Sequence, residues 1–469
     1  MKVESAAVAT PFGDAVRVSG ETVAVVQESA LATSAMDALV REAVFGSDAA
    51  QERARWLIWE IGQAVGVRPA SIHDLYLARG RGETKGFTVP AMNVRGASYD
   101  TARAIFRTAV RLKAGALLLE IARSEIAYTD QRPAEYVAVM LAAAMREGFR
   151  GPVFIQGDHF QVNAKKFVAD PVGEVTAVKQ LAAEAVTAGF YNIDVDTSTL
   201  VDIHLATLDE QQRANYETAA ELVAYVRSLE SKGVTISIGA EIGEVGTNNS
   251  TVAELRAFMD GYRRTMEARG HVALAPLSKI SVQTGTSHGG IVLPDGKIAD
   301  VKLDLEALEA LSKVARDAYG MSGAVQHGAS TLPANAFNHF PHIETAEIHL
   351  ATNVQNILYD HLPAELRARI YAWLDVNAKD ERKATDSDDQ FYYKTRKKAL
   401  GPFKKELWEL PEVTKAALAQ AYDKTFGFLF DQLKVGGTAA IVARTVNPPR
   451  QHHRAPSGVF APDDPDAGE

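Results

Sequence analysis

The chain alternates short apolar, β-rich runs with amphipathic helical patterns, and this alternation constrains its fold more than any other feature. Runs that are apolar throughout are typical of parallel strands covered by helices on both faces. The central part of the chain holds eight such β/α units, the number that a (β/α)8 barrel requires. The sequence therefore predicts an α/β TIM barrel. The eight runs are 86–94, 114–121, 151–159, 190–198, 234–243, 278–289, 322–330 and 346–353.

An open, doubly wound sheet is the competing fold for alternating strands and helices. A nucleotide-binding sheet of that kind carries a glycine-rich phosphate turn, GxGxxG, after its first strand. The turn after the first run here reads "NVRGASYD" (93–100) and lacks that spacing. This difference favours the barrel.

The barrel leaves extensions at both ends of the 469-residue chain. Residues 1–85 are rich in alanine and include a helical pattern at 51–66, so they are predicted to form a helical N-terminal extension. The barrel is assigned to 86–375, and a helical C-terminal extension to 376–446. Residues 447–469 are rich in proline, aspartate and glycine, which predicts a disordered tail with solvated histidines at 452 and 453.

Composition excludes several classes of function. The net charge of −9 argues against nucleic-acid binding, because phosphate backbones are bound by basic surfaces. No apolar run approaches the roughly 20 residues that span a bilayer, and no secretory signal is visible. These features fit a cytoplasmic protein. The chain has no cysteine, so any metal must be bound by His, Asp or Glu.

Titratable residues collect where the predicted strands end, which is the active-site face of a TIM barrel. Three histidines and a glutamate lie at these ends, and together they would suit a divalent transition metal, with zinc the leading candidate. Any one such histidine could instead be a hydrogen-bonded structural residue. The three histidines are His159 on the third run, His288 on the sixth and His327 on the seventh, and the glutamate is Glu241 on the fifth. Asp158 precedes His159, and His349 lies on the eighth run.

Two of the histidines are followed by small residues, in "SHGG" and "HGAS". Glycine leaves backbone N–H groups open to a close approach by an anion. Phosphate sites made by the last strand loops recur in this fold. Gly289, Gly328, Ser330 and Thr352 are therefore candidate phosphate-binding residues, although ordinary turns would explain either segment alone.

The assembled motifs resemble those of the class II, metal-dependent aldolases that act on ketose bisphosphates. "GDH", "GAEIG", "SHGG" and "HGAST" occur in the order of the family's motifs, and "FTVPAMNV" is similar to its opening strand. The resemblance covers roughly 87–356. It implies a lyase of carbohydrate metabolism, such as glycolysis, that cleaves or forms a fructose- or tagatose-type ketose phosphate through a zinc-stabilised enediolate.

The resemblance also implies residue roles. His159, His288 and His327 would bind zinc with Glu241, and Asp158 would be the acid/base residue. The phosphate residues named above would hold the glycerone-phosphate half, and a monovalent cation is often bound near the glycines in this family. Further substrate contacts are expected from Asn93, His349, Asn353 and Arg396, with Lys398 an alternative to Arg396. A homo-oligomer, dimer or tetramer, is the family-like expectation.

Some positions depart from the family pattern and keep other functions open. The acidic "GGxED" loop reads "GEVGTNNST", which leaves Glu244 as the candidate for the missing catalytic glutamate. The strand-eight "NxDT" reads "HLAT", so His349 and Ala351 replace an Asn and an Asp. The related non-catalytic subunit of tagatose-bisphosphate aldolase shares "GDH" and would support a partner enzyme. An isomerase or epimerase would use the same enediolate chemistry.

Overall fold

The computed structural model describes residues 10–243, 248–285 and 303–456, and its centre is a closed sheet of parallel strands. Eight strands follow one another around the barrel from β4 to β11, and pairing of β6 with β7 and of β11 with β4 completes the ring. The strands are β1 Val16–Ser19, β2 Thr22–Val25, β3 Val67–Ala70, β4 Val89–Asn93, β5 Leu118–Ala122, β6 Gly151–Gln161, β7 Asn192–Asp196, β8 Ser237–Glu241, β9 Lys279–Val282, β10 Ala324–Gln326 and β11 Glu347–Leu350.

Helices connect and cover the strands. The predicted TIM barrel is confirmed, and each of the eight predicted runs contains or overlaps one barrel strand. No helix in the described ranges has the length and apolar character needed to span a bilayer. The helices are α1 Ser34–Phe45, α2 Asp48–Val65, α3 His73–Gly80, α4 Ser98–Leu112, α5 Arg123–Tyr128, α6 Pro133–Arg146, α7 Ala164–Ala169, α8 Pro171–Ala188, α9 Leu208–Ser228, α10 Val252–Ala268, α11 Leu305–Tyr319, α12 His339–His342, α13 Thr352–His361, α14 Ala364–Asn377, α15 Asp388–Thr395, α16 Lys404–Trp408, α17 Glu412–Gln432 and α18 Ala439–Thr445.

The N-terminal extension is not wholly helical. It carries α1–α3, but β1 and β2 form an antiparallel hairpin, and β3 pairs in parallel with the first four residues of β6. The side chain of Asn192, at the start of β7, fixes the end of β3. Its Oδ1 accepts from the Ile72 backbone N–H at 2.8 Å, and its Nδ2 donates to the Ala70 carbonyl at 3.0 Å. The extension is thus joined to the barrel sheet.

The C-terminal tail is ordered as far as residue 456, which corrects the prediction of disorder for that part. Trp59 of α2 donates its indole N–H to the Gln451 carbonyl at 2.8 Å, and the His453 ring stacks on Trp59 with centroids 4.0 Å apart. His452 contacts the buried carboxylate of Glu60 at 2.6 Å. His453 is therefore stacked and His452 hydrogen-bonded, whereas the prediction gave both only solvent contacts. The composition of the tail did not reveal the aromatic surface that it covers.

The barrel interior holds a buried lysine at the start of β9. The ammonium of Lys279 contacts Glu347 of β11 at 2.6 Å, Asp194 of β7 at 2.9 Å and the amide oxygen of Gln156 of β6 at 2.7 Å. Burial would lower the pKa of Lys279, but Asp194 and Glu347 raise it above its ordinary value, so the lysine is a cation. One side chain therefore ties four strands together below the mouth.

Gly239 of β8 makes room for this ion pair. It lies in register between Asp194 on β7 and Lys279 on β9. A Cβ at this position would lie 2.4 Å from the Asp194 Oδ1 and 2.8 Å from the Lys279 Cε. A side chain here would displace the ammonium from its carboxylates, which explains a glycine in the middle of a barrel strand.

Replacing Lys279 by methionine should strongly destabilise the protein. The substitution leaves Asp194 and Glu347 buried without their cation, which typically costs about 3–5 kcal/mol. The matched control is Lys313→Met, which removes an exposed i,i+4 pair with Asp317 and should cost at most about 1 kcal/mol. Chemical denaturation of both variants measures the difference. Equal denaturation midpoints would contradict a stabilising role for Lys279.

Candidate active site

A β-bulge in β6 forms the centre of the site. Gly157 pairs with Ile193 of β7 and Phe160 pairs with Val195, so Asp158 and His159 together oppose one residue of β7. His159 adopts a left-handed conformation with φ of +41°, which is uncommon for a residue other than glycine. Such strain is typical of functional sites. The bulge lies near the C-terminal end of β6, where this apolar strand reaches the mouth of the barrel.

The bulge lets two adjacent side chains face the barrel interior, whereas a regular strand alternates their directions. Asp158 Oδ1 lies 3.2 Å from the Nδ1 of His349 on β11, and His159 Nδ1 lies 2.8 Å from Asp196 Oδ2 on β7. Gly157 is required beside the bulge, because a Cβ there would lie 2.5 Å from the buried Phe160 ring. The four residues of "GDHF" therefore form the bulge together: Gly157 leaves room for the Phe160 ring, and Asp158 and His159 face the interior.

Asp196 orients the His159 imidazole. Its carboxylate accepts from the backbone N–H and the hydroxyl of Ser198, at 3.1 and 2.7 Å, and from the Gln161 amide at 2.6 Å. Its contact with the His159 Nδ1 leaves the Nε2 of that ring to face the Asp158 Oδ1, 3.7 Å away. Carboxylate–histidine pairs of this kind set the tautomer and direction of metal-binding histidines.

His327 and Glu241 complete the group. The His327 and His159 ring centroids lie 4.3 Å apart, and the His327 Nε2 is 3.0 Å from the Ser281 hydroxyl. Glu241 Oε2 lies 3.4 Å from His159 Nδ1. One donor atom from each of Asp158, His159 and His327 falls within 4.8 Å of the others. Two imidazoles and a carboxylate at this spacing fit a divalent transition metal.

The electrostatics of this group favour a cation. Burial, followed by the nearby Asp196 carboxylate, raises the pKa of Glu241 to about 7. Burial would lower the pKa of His159, but Asp158, Asp196 and Glu241 raise it well above its ordinary value. Burial would raise the pKa of Asp196, but hydrogen bonds from His159, Ser198 and Gln161 lower it. The carboxylates therefore stabilise positive charge at this point, which a metal can supply in exchange for protons.

A cavity of about 850 Å³ opens above the group, with Asp158 and His159 in its wall. The first turn of α13, at Thr352, also lines it, so a helix N-terminus and its partial positive charge face the cavity. Five basic residues surround the opening. They are Arg95, Arg123, Lys166, Lys394 and Lys397.

Lys397 and Lys166 differ from the other three basic residues of the opening, since Lys394 pairs with Asp386 and both arginines pair with glutamates. Arg95 pairs with Glu125, and Arg123 with Glu174. In the described part of the chain, Lys397 has no carboxylate within ion-pair distance. Burial, and then the neighbouring Arg95, lower the pKa of Lys397, with Glu125 opposing. An anion that entered the cavity would offset this repulsion.

The other predicted residues lie in several places. Asn93 is buried and donates its amide to Glu125, and His349 lies below Asp158 inside the barrel. Gly328 has a positive φ of 67° and begins a short 3-10 helix that contains Ser330, whose hydroxyl is buried without a hydrogen-bond partner in the described structure. Asn353 is half-buried in the first turn of α13. Glu244, His288 and Gly289 lie outside the described residues.

Arg396 does not line the cavity. Its guanidinium lies over the rings of Tyr359 and Tyr393, with centroids at 4.8 and 4.6 Å, and donates to the Asn356 amide oxygen. Lys398 pairs with Glu381 instead of facing the mouth. The adjacent Lys397 takes the position that was predicted for these two residues.

Gln156, Glu347 and Glu120 were not predicted, because they lie before the C-terminal ends of their strands. Side chains two positions apart face the same side of a strand. Counting back by two from predicted residues would have found Gln156 before Asp158, and Glu347 before His349. Asp196 and Glu120 face the same interior. The basic residues of the opening lie in loops and helices after the strands, where the alternation of side chains along a strand does not predict their direction.

The fold and this site define a (β/α)8-barrel protein with a histidine–carboxylate cluster at the C-terminal mouth. The sequence matches the family model "Fructose-bisphosphate aldolase class-II" over residues 80–407. The chain therefore belongs to the class II fructose-bisphosphate aldolase family. This family generally uses a divalent metal. No curated protein sequence matches the chain.

Solved structures share the fold at low identity. Fructuronate-tagaturonate epimerase from Cohnella laeviribosi is 12% identical over 75% of this chain and 82% of its own, with a TM-score of 0.51. A probable tagatose 6 phosphate kinase from Sinorhizobium meliloti is 17% identical over 76% and 98%, with a TM-score of 0.50. Fructose-bisphosphate aldolase from Campylobacter jejuni is 17% identical over 79% and 98%, with a TM-score of 0.47. The first two likenesses concern the fold alone.

Asp196→Asn should weaken metal binding by about 10- to 100-fold, the usual effect of losing the partner that orients a histidine ligand. The amide can present a donor to His159 Nδ1 and so favour the wrong tautomer. Titration of the chelator-treated protein with Zn²⁺ gives the affinity. Asp317→Asn, on the exposed face of α11, is the control and should bind like the unsubstituted chain. Unchanged affinity in Asp196→Asn would exclude the orienting role.

Proposed function

We propose that this chain is a zinc-dependent class II aldolase that cleaves and forms a ketose phosphate, giving glycerone phosphate and an aldehyde. The observation that supports it is Asp158, which stands between two histidines of a metal-type cluster in the wall of a cavity with a basic opening. The proposal includes a cytoplasmic location and a homo-oligomer, dimer or tetramer. Fructose and tagatose phosphates are both candidate substrates.

His159, His327 and Glu241 would hold the metal, with His288 added by its place in the family motif. Bound there, zinc would act as a Lewis acid toward the substrate carbonyl and stabilise the charge of the enediolate. Asp196 contacts the His159 Nδ1, so the Nε2 of that ring is directed away from β7 and toward Asp158. A monovalent cation near the glycine turns is a further part of the proposal.

Asp158 is the proposed acid/base residue. Cleavage of the carbon–carbon bond requires removal of the proton from the substrate hydroxyl that becomes the aldehyde, and the reverse reaction returns it. Asp158 lines the cavity and is held by the bulge next to His159. A carboxylate in this position reaches a substrate that also contacts the metal. Glu244 remains the candidate for transfer of the carbon-bound proton.

The basic opening would bind the phosphate groups. Lys397 and Arg95 face the cavity, and the N-terminus of α13 at Thr352 adds backbone donors. Gly328 and Ser330 are the proposed contacts of the glycerone-phosphate half. Lys397 has no carboxylate partner in the described structure and lies next to Arg95, so an incoming phosphate would offset the repulsion between these two cations.

Two other functions remain as alternatives. The replacement of the family's Asn and Asp by His349 and Ala351 alters groups next to the substrate, which favours an epimerase or isomerase as the second candidate. Product analysis separates these, because only an aldolase releases two fragments. A non-catalytic subunit is the third candidate, and it predicts no turnover by the purified chain with Zn²⁺ until a partner is added.

Asp158→Asn should lower kcat by about 10²- to 10⁴-fold, the usual contribution of a general acid or base, while the zinc held by His159 and His327 stays bound. A coupled assay for glycerone phosphate, run over several ketose phosphates, gives kcat, and metal analysis gives the zinc content. His288→Ala should reduce both zinc and activity. Full activity in either variant would reject the corresponding role.

Lys397→Met should raise KM for the ketose phosphate by about 10-fold or more with a smaller change in kcat, because a charged hydrogen bond contributes about 1.5–3 kcal/mol. The control is Lys398→Met, which removes the neighbouring lysine that pairs with Glu381. KM should be unchanged in the control. The reverse pattern would assign phosphate binding to Lys398.

A further inference from the structure

A second group of potential ligands lies directly below the first. Glu120 of β5, Asp158 of β6 and His349 of β11 are all buried, and one ligand atom of each lies within 4.8 Å of the others. His349 Nδ1 is 3.1 Å from Glu120 Oε2 and 3.2 Å from Asp158 Oδ1. This set shares only Asp158 with the cluster of His159 and His327.

The direction of the His349 ring is fixed from the other side. Its Nε2 lies 2.7 Å from the Glu347 Oε1, which is itself held by Lys279. When that nitrogen donates its proton to Glu347, the Nδ1 presents its lone pair to the oxygens of Glu120 and Asp158. A nitrogen lone pair facing two carboxylates is repulsive unless a proton or a metal cation lies between them. This is the arrangement of ligands around a shared ion.

Two buried atoms in this group lack hydrogen bonds. The Nδ1 of His349 makes no hydrogen bond of acceptable geometry despite its short distances, and the Oε1 of Glu120 has no partner. His349 and Glu120 are 4% and 0% exposed, so water does not cover these atoms. Buried polar atoms without partners are rare and call for an explanation such as an ion.

The barrel interior contains more carboxylates than lysines and arginines, so more than one bound cation would be needed to balance their charge. Six carboxylates are buried there, whereas Lys279 is the only lysine or arginine in the eight barrel strands. When all six are ionised, one divalent metal at His159 and His327, together with Lys279, balances three of the six negative charges. The six are Glu120, Asp158, Asp194, Asp196, Glu241 and Glu347.

We propose that Glu120, Asp158 and His349 bind a second divalent first-row transition metal next to the first. Two carboxylate oxygens and one imidazole suit Mn²⁺, Co²⁺ or Zn²⁺. Asp158 Oδ1 faces both groups, and the His327 and His349 rings are 4.1 Å apart, so the two metals share a carboxylate. Proton transfer then belongs to the Oδ2 of Asp158. This metal site does not depend on the proposed aldolase activity.

Metal stoichiometry tests the second site. The full-length chain, freed of metal by chelation, is titrated with Mn²⁺, and bound and free Mn²⁺ are separated by electron paramagnetic resonance. Two ions per chain are expected, with an exchange-coupled spectrum from the shared carboxylate. Glu120→Gln and His349→Asn should each bind one. His349→Asn places the family motif's residue at this position, and Glu120→Gln keeps the shape of the side chain.

Ser237→Ala is the matched control, because Ser237 lies inside the barrel and contacts Ser278 instead of either ligand group. It should bind two Mn²⁺, as the unsubstituted chain does. One ion per chain in the unsubstituted protein would overturn the proposal, because a shared proton would then explain the His349 contacts. Two ions in both Glu120→Gln and His349→Asn would overturn it as well. Circular dichroism of each variant verifies that the barrel is folded.

Discussion

The ion pairs of Lys279 support the rest of the site. Its ammonium holds Glu347, Glu347 fixes the His349 ring, and His349 meets Asp158 at the floor of the mouth. Burial would raise the pKa of Glu347, but Lys279 lowers it to about 2, so this carboxylate stays charged. Without the lysine, the floor of the site would contain unpaired buried carboxylates, which would take up protons or rearrange.

The bulge in β6 is the second constraint, and it depends on the first. A regular strand would direct either Asp158 or His159 into the barrel, but not both. The bulge turns both inward, at the cost of a left-handed backbone at His159. The contacts of Asp158 with His349, and of His159 with Asp196, stabilise the strained segment from two sides. Asp158, His159 and the ionic interior are therefore parts of one structure.

The sequence predicted the barrel and the convergence of Asp158, His159, Glu241 and His327, because strand ends in a closed parallel barrel meet at one mouth. It did not predict the bulge, since register shifts follow from pairing with a neighbouring strand. It placed Arg396 instead of Lys397 at the cavity, because the rotation of a short helical turn is set by its packing on Tyr359 and Tyr393. The ordered tail was missed for a similar reason, since its partner is Trp59, almost 400 residues earlier.

The two ends of the site carry opposite charge, and this difference would orient a bound molecule. The floor concentrates carboxylates and imidazoles, whereas the opening carries arginines and lysines together with a helix N-terminus. A molecule with an anionic group at one end and carbonyl and hydroxyl groups at the other fits this order, because only its neutral end approaches a cation held by the floor. A neutral sugar would leave the repulsion between Lys397 and Arg95 unrelieved. The charge of the opening therefore favours an anionic ligand.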